Sequence, residues 1–358
     1  MVLKMEFKKI WNLKILLIIA VMGLLFGFLF LEFPLNYFPN GPQCEQQYKL
    51  MQEWTKKYGT TMDKTEYKDA LQTLKNRIGV TDAIANGSDL IGCGDEYSQQ
   101  TASALDDYEF RYKVLNDNLK ENLYTPAEQI RVKDIINNKK RDGILPYEIM
   151  GNTMEYWRWC SVFIILSVII LIAPNITKDT LTGVRKLQYA SKCGRKILKT
   201  QFFATILSAI GIAVLEVIIL AVLYAKLGTW YFWNNPINSF FFGDIYWFDL
   251  NYGQYLLVIL LLIILFTGSV AGIAFSLSCF SRNYISLMLK IIPVFFVLGM
   301  LNNNCIIYLL SFDNPLYKLT GLKGMEIYIG ITVLLLGAVF SFVTLKYKFK
   351  IRDNDIAI

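Results

Sequence analysis

Few side chains in this sequence are placed to do chemistry, and those few lie in or beside apolar runs. Glu216 stands inside the run from Phe202 to Leu223. A carboxylate at that depth is costly unless it is paired or faces water, so it marks either a functional position or a hydrogen bond that orients a helix bundle. Asn302, Asn303 and Asn304 interrupt another apolar run. Three amides cannot face lipid, which leaves two arrangements: the outer end of a span followed by a re-entrant piece over residues 305–312, or a polar break that lines a cavity.

Enzymatic chemistry finds little support. The chain has no His, which removes the commonest general base and the commonest zinc ligand. Glu216 and Lys290 are isolated, so neither a carboxylate pair nor a Ser-Lys arrangement is present, and no catalytic residue is assigned. The six Cys include no C-x-x-C pair, so no metal site is expected. Cys160, Cys193, Cys279 and Cys305 lie in or beside apolar runs and read as small hydrophobes. Cys44 and Cys93 sit beside the turns Asn40-Gly41-Pro42 and Gly92-Cys93-Gly94. In an oxidising exterior they form a candidate disulfide, with two free thiols as the alternative. No G-x-x-x-x-G-K-[ST] loop occurs, so the chain cannot hydrolyse ATP through a P-loop of its own.

The stretch 175–201 organises the rest. Lys178, Arg185, Lys186, Lys192, Arg195, Lys196 and Lys199 stand there against one carboxylate, Asp179, and this bias places the segment on the cytoplasmic side. Leu181, Val184, Leu187 and Ala190 recur at helical spacing, with Asp179 at the N-terminal end. That pattern predicts a short helix along the membrane surface. A basic loop that merely holds the protein the right way up is the alternative.

The elements that must position these residues are apolar spans. With 54% hydrophobic residues and a mean hydropathy of +0.38, the chain is too apolar for a soluble domain of its size. The expected fold class is an all-α polytopic membrane protein, with six transmembrane helices and a mainly helical extracellular domain inserted between the first and second. The stretch 1–14 carries Leu3, Phe7, Ile10 and Trp11 on one helical face, which suits an interfacial helix, with an unstructured basic tip as the alternative. Spans follow at 15–33, read as an uncleaved signal-anchor, then at 157–174, 202–225, 254–280, 285–312 with its re-entrant part, and 327–345. Both termini, including the tail 346–358, then lie in the cytoplasm, and the membrane is the plasma membrane.

Between the first two spans, residues 34–156 form the extracellular domain, where acidic residues outnumber basic ones. Helical spacing recurs at Tyr48, Met51, Trp54 and Tyr58, at Tyr67, Leu71, Leu74 and Ile78, and at Phe110, Val114, Leu115 and Leu119. Thr125-Pro126-Ala127-Glu128 reads as a capped helix start. The aromatic segment 226–253 predicts an outer-leaflet interfacial loop or hairpin that could line a substrate path. Gly268 and Gly272, in a G-x-x-x-G, permit close helix packing within the subunit or across a dimer.

The spacing Asp179, Gly183, Leu187, Ser191, Gly194-Arg195 and Lys199, leading straight into an apolar span, resembles a family signature. It is similar to the acidic-x-x-x-Gly…Leu…Ser…Arg…Lys pattern between the second and third spans of exporter-type (type-two) ABC transporter permeases. Here Asp stands in place of the more usual Glu, and no Pro precedes the Arg. The resemblance extends over the whole chain through the six spans, the amphipathic N-terminal helix and the polar interruption after the fifth. The large outer domain is similar to a subgroup found chiefly in Gram-positive bacteria.

The resemblance implies a permease subunit of an ATP-driven exporter that couples to a separate ATPase through Asp179, Leu181, Gly183, Val184, Arg185, Lys186, Leu187, Ser191, Arg195 and Lys199. Arg185, Lys186, Arg195 and Lys199 would meet acidic ATPase surface, and Leu181, Val184 and Leu187 would seat the helix in a cleft. Glu216 and Asn302 to Asn304 would be polar residues of the pathway or the bundle. No cofactor is expected in this chain, with ATP and magnesium on the partner ATPase. The other partners implied are a second permease copy, identical or related, and the lipid bilayer, with no nucleic acid. The competing reading is a membrane-anchored sensor or receptor whose extracellular domain binds a ligand without transport. That reading leaves Glu216 and the three Asn without a role.

Overall fold

The computed structural model describes residues 2–80, 87–185, 188, 197–241 and 243–356. Among these residues the regular structure is all helical, with only isolated backbone bridges between loops. Six stretches are long and apolar enough to cross a bilayer: Val2–Asn36, Tyr147–Leu181, Ile197–Ala225, Tyr252–Cys279, Tyr284–Ile306 and Met325–Lys348. The chain is a multi-pass membrane protein, since helices satisfy their own backbone groups in hydrocarbon.

The first stretch is built in pieces. Helix α1 (Val2–Ile10) buries Glu6 and Ile10, and Asn12 then caps α2 (Leu13–Phe26) by accepting from the Lys14 N–H at 3.0 Å. A π-helical turn over Gly27–Leu31 joins α2 to α3 (Glu32–Asn36).

The polar insert follows as α4 (Pro42–Tyr58), α5 (Lys64–Ile78), α6 (Glu96–Phe110), α7 (Lys113–Lys120) and α8 (Pro126–Asn137). Asp63 with Glu66 and Thr125 with Glu128 close reciprocal caps at the starts of α5 and α8, which satisfies donors that a helix start leaves open. The third apolar set of the sequence divides at Arg111 and Tyr112. Helix α6 faces the core with Ala102, Leu105 and Tyr108, and of residues 110–119 only Leu115 is buried, while Val114 is exposed.

Helix α9 (Tyr147–Leu181) is the hub. Its 35 residues extend about 52 Å at 1.5 Å per residue, well beyond a hydrocarbon core of ~30 Å. Of its most apolar window 78% is buried, against 11–50% for the other five. Pro174 lies inside it and removes a backbone donor, and the neighbouring Asn175 amide donates to the Leu171 carbonyl at 2.7 Å. Around α9 stand α10 (Ile197–Ala225), α11 (Tyr252–Cys279), α12 (Tyr284–Ile306), the short α13 (Pro315–Thr320) and α14 (Met325–Ile356).

Gly268 and Gly272 pack inside the subunit. A Cβ on Gly272 would stand 2.7 Å from Ser341 Oγ and 2.8 Å from the Gly337 carbonyl of α14, and one on Gly268 would stand 3.0 Å from Leu334. Ser269 Oγ donates to the Val333 carbonyl at 2.7 Å across the same contact. Small residues let the two backbones approach this closely.

Three expectations are corrected. No half-helix forms over 305–312: α12 runs to Ile306 with Asn302, Asn303 and Asn304 in its last turns. The chain then turns through positive φ at Tyr308 and Leu310, which a continuing helix cannot adopt. Glu326 Oε1 accepts the Leu310 N–H at 3.0 Å, and Trp247 N and Phe312 N bond across to Leu310 and Ile245 carbonyls at 2.9 Å. The aromatic segment, second, is a loop only partly open to its surroundings. Phe232, Phe240, Tyr246 and Trp247 are buried, whereas Trp230, Trp233 and Phe248 are exposed. Their rings meet the insert and the turn after α12, with Phe240 5.5 Å from Tyr108, Phe232 5.6 Å from Tyr48, and Trp247 4.3 Å from Phe312. Third, Cys44 and Cys93 are both free thiols. Cys44 lies in the first turn of α4 beside Glu148 of α9, not opposite Cys93.

Candidate functional site

Two places in the bundle gather the chemistry-bearing side chains. The first is the end where α1, α9 and α10 meet. Lys9 Nζ donates to Asp179 Oδ2 and lies 3.5 Å from Glu6 Oε2. Gln201 Nε2 donates to Asp179 Oδ2 at 3.0 Å and to Glu6 Oε1 at 3.4 Å. Glu6, Asp179 and Gln201 are all buried. Two carboxylates thus share one ammonium and one amide, and the arrangement ties three helices into a unit.

Asp179 therefore does not start a surface helix. It sits in the last turn of α9 and points inward, because α9 continues past Pro174 as far as Leu181. Gly183, at φ +72°, takes the left-handed conformation that commonly ends a helix. Beyond the lock, Leu181 and Val184 are exposed, at 48% and 39%, and Arg185 Nη1 donates to Thr180 Oγ1 at 3.2 Å. Lys199 lies in the first turn of α10. Lys186, Leu187, Ser191 and Arg195, with the apolar spacing that predicts a surface helix, lie outside the described residues. The same end carries further cations: Lys290 Nζ donates to the Phe280 carbonyl at 2.9 Å, Lys348 stands 4.7 Å from the Phe280 ring, and Arg185 is near enough to Lys348 to repel it.

The second place surrounds Glu216. Its side chain, on α10, is buried, and neither carboxylate oxygen has a hydrogen-bond partner. Ser167 of α9 stands close enough to act on it, yet Ser167 Oγ makes no hydrogen bond of ordinary geometry. The carboxylate borders a cavity of about 720 Å³ between α2, α9 and α10, walled by Gly23, Gly27, Leu31, Phe163, Ile212 and Ile219 among others. Trp11 closes one end, its Nε1 donating to Ser208 Oγ at 3.0 Å, and Glu32 and Asn36 stand at the other.

Glu216 and the Asn cluster are not brought together. Asn302 is fully buried and donates through Nδ2 to Ser161 Oγ on a different part of α9. Asn303 and Asn304 are half-buried, and their carbonyls accept from Ile307 N at 3.0 Å and Asn314 Nδ2 at 3.2 Å. Sequence reasoning missed Glu6 and Lys9. The available signal was that each basic stretch, 1–14 and 175–201, holds a single acid, and an isolated acid among cations is the residue to suspect of a specific partner.

No protein-family model, no curated protein and no solved structure matches this chain. What fold and site define together is a class: an all-α, multi-pass membrane protein with a helical insert between its first two long helices, a locked cationic end and a carboxylate beside an apolar cavity.

Proposed function

We propose that this chain is the transmembrane subunit of an ATP-driven exporter, worked by a separate ATPase that docks on the segment after α9. The observation that supports the reading most is the lock of Lys9, Asp179, Glu6 and Gln201. A push on the exposed Leu181 and Val184 is passed through Asp179 to α1 and α10 together, so a local docking event moves three helices at once. In this reading the cationic end faces the cytoplasm, both termini lie there, the insert is extracellular and the membrane is the plasma membrane. Arg185 and Lys199, with Lys186 and Arg195, are the cations offered to an acidic ATPase surface. ATP and magnesium belong to that partner, and a second copy of this chain or a related one completes the pathway. The substrate passes along the seam between copies.

The test is affinity capture of the tagged chain from native membranes. A co-purifying protein that carries a G-x-x-x-x-G-K-[ST] loop and hydrolyses ATP is the expected result. The Leu181→Asp, Val184→Asp double variant should lose that protein. Lys9→Met should retain it while losing the stimulation of its hydrolysis, because docking survives and transmission does not. Capture unchanged in the double variant, or labelling of Cys193 by an impermeant maleimide from outside intact cells, would remove the ATPase reading.

A further inference from the structure

The carboxylate of Glu216 is the one buried acid on the cavity between α2, α9 and α10, and it is 6% exposed with both oxygens unbonded. An ionised carboxylate in hydrocarbon needs a counter-charge that can also donate hydrogen bonds. No Lys or Arg among the described residues pairs with it. The room for such a donor lies directly beside it. A cavity of about 720 Å³ is within the range that takes a drug-sized ligand, ~300–1,000 Å³. Its walls are almost wholly apolar, which suits a hydrocarbon body.

The shape has a local cause. Gly23 of α2 lets Phe163 of α9 approach, since a Cβ there would stand 3.0 Å from its ring, and at Gly27, just past the end of α2, a Cβ would meet nothing within 4 Å. The π turn that follows at Gly27–Leu31 is a distortion that recurs where helices carry functional sites. The flanks of the cavity are the lipid-facing sides of α2 and α10, where Leu24, Phe28, Leu215 and Ile219 are exposed. An occupant can therefore arrive from the bilayer.

We propose that this cavity binds a lipophilic amine: its ammonium N–H groups donate to Glu216, and its hydrocarbon chain lies in the open space beside Gly27. Charge complementarity selects a cation, the two unbonded oxygens select one with N–H donors, and the depth of Glu216 within α10 disfavours a phospholipid, whose phosphate belongs at the membrane surface. The inference goes beyond the ATPase reading and holds whether or not an ATPase docks, so it is measured on this chain alone.

The full chain in phosphatidylcholine nanodiscs is titrated with radiolabelled dodecylamine, with empty discs as the blank. Saturable binding above the blank is expected, together with at least a tenfold weaker affinity for dodecyltrimethylammonium, which has no N–H, and for neutral dodecanol. Glu216→Gln should lose at least tenfold, and Gly27→Leu, which fills the cavity while keeping the carboxylate, should lose a similar factor. Each variant is first shown to elute and melt as the parent chain does. Binding no greater than that of empty discs, affinity unchanged in both variants, or equal affinity for dodecyltrimethylammonium would overturn the proposal. Displacement of dodecylamine by phosphatidylethanolamine added to the discs would overturn it too, in favour of a lipid headgroup.

Discussion

Gly272 shows how much a single atom decides in this bundle. Its missing Cβ is what lets α11 lie against α14, since an added one would press on Ser341 Oγ at 2.7 Å and on the Gly337 carbonyl at 2.8 Å. Backbone cannot yield as a side-chain tip can, so Gly272→Ala should destabilise the protein by about 1–3 kcal/mol. Gly151, inside α9 with nothing within 4 Å of its would-be Cβ, is the matched control. There the same change should be neutral or stabilising by up to ~1 kcal/mol, because Ala is the better helix former. Thermal unfolding of the two variants side by side in detergent separates packing from propensity, and equal melting temperatures would show that the α11–α14 contact is looser than described. The G-x-x-x-G was legible in sequence, but its partner was not, because small residues permit a close approach without naming who approaches.

Among the elements, the join between the helical insert and the loop before α11 carries its own charge clasp. Arg131 of α8 is buried and donates from Nε to the Tyr246 carbonyl at 3.0 Å, and Asp134 and Asp249 gather Arg131 and Lys140 around them. The Lys140 ammonium beside Asp134 holds its carboxyl below the ordinary carboxylate range. A depressed carboxyl contributes stability that is complete above its unfolded pKa, ~3.9, and is lost as pH falls through the lower folded value. The protein should therefore hold its melting temperature from pH 7 to ~5 and lose it progressively below ~4. Asp134→Asn should flatten that loss, and an unaltered acid profile in this variant would mean that other carboxylates govern it. Helix α8 itself was readable from Thr125, Pro126 and Glu128, since a cap is a matter of three residues. The clasp was not, because Arg131 and Asp249 are 118 positions apart.

At the scale of the whole molecule, insert and bundle share one core. Phe240 meets Trp54 and Tyr108, Phe232 meets Tyr48, and Tyr48 donates to the Leu227 carbonyl at 3.1 Å. Deleting residues 42–141 and bridging the gap with a flexible linker should therefore yield no stable bundle. The exposed aromatic faces would drive association, read as loss of a monodisperse peak in detergent size-exclusion chromatography. A sharp monomeric peak would instead mean that the insert is an independent module.

Hydropathy and spacing by themselves determined the six long helices, the helical character of the insert, the capped start of α8 and the basic end of the bundle. Each is a property of a few neighbouring residues, which hydrophobic periodicity, capping and charge bias report directly. Only the tertiary structure decided that Asp179 turns inward to Lys9, that Glu216 faces a cavity while Asn302 bonds Ser161, and that Phe232, Phe240, Tyr246 and Trp247 of the aromatic loop are buried. These are pairings between distant parts of the chain. A side chain's type sets what it can bind, but its partner is chosen when helices pack and desolvation makes every buried polar atom seek one.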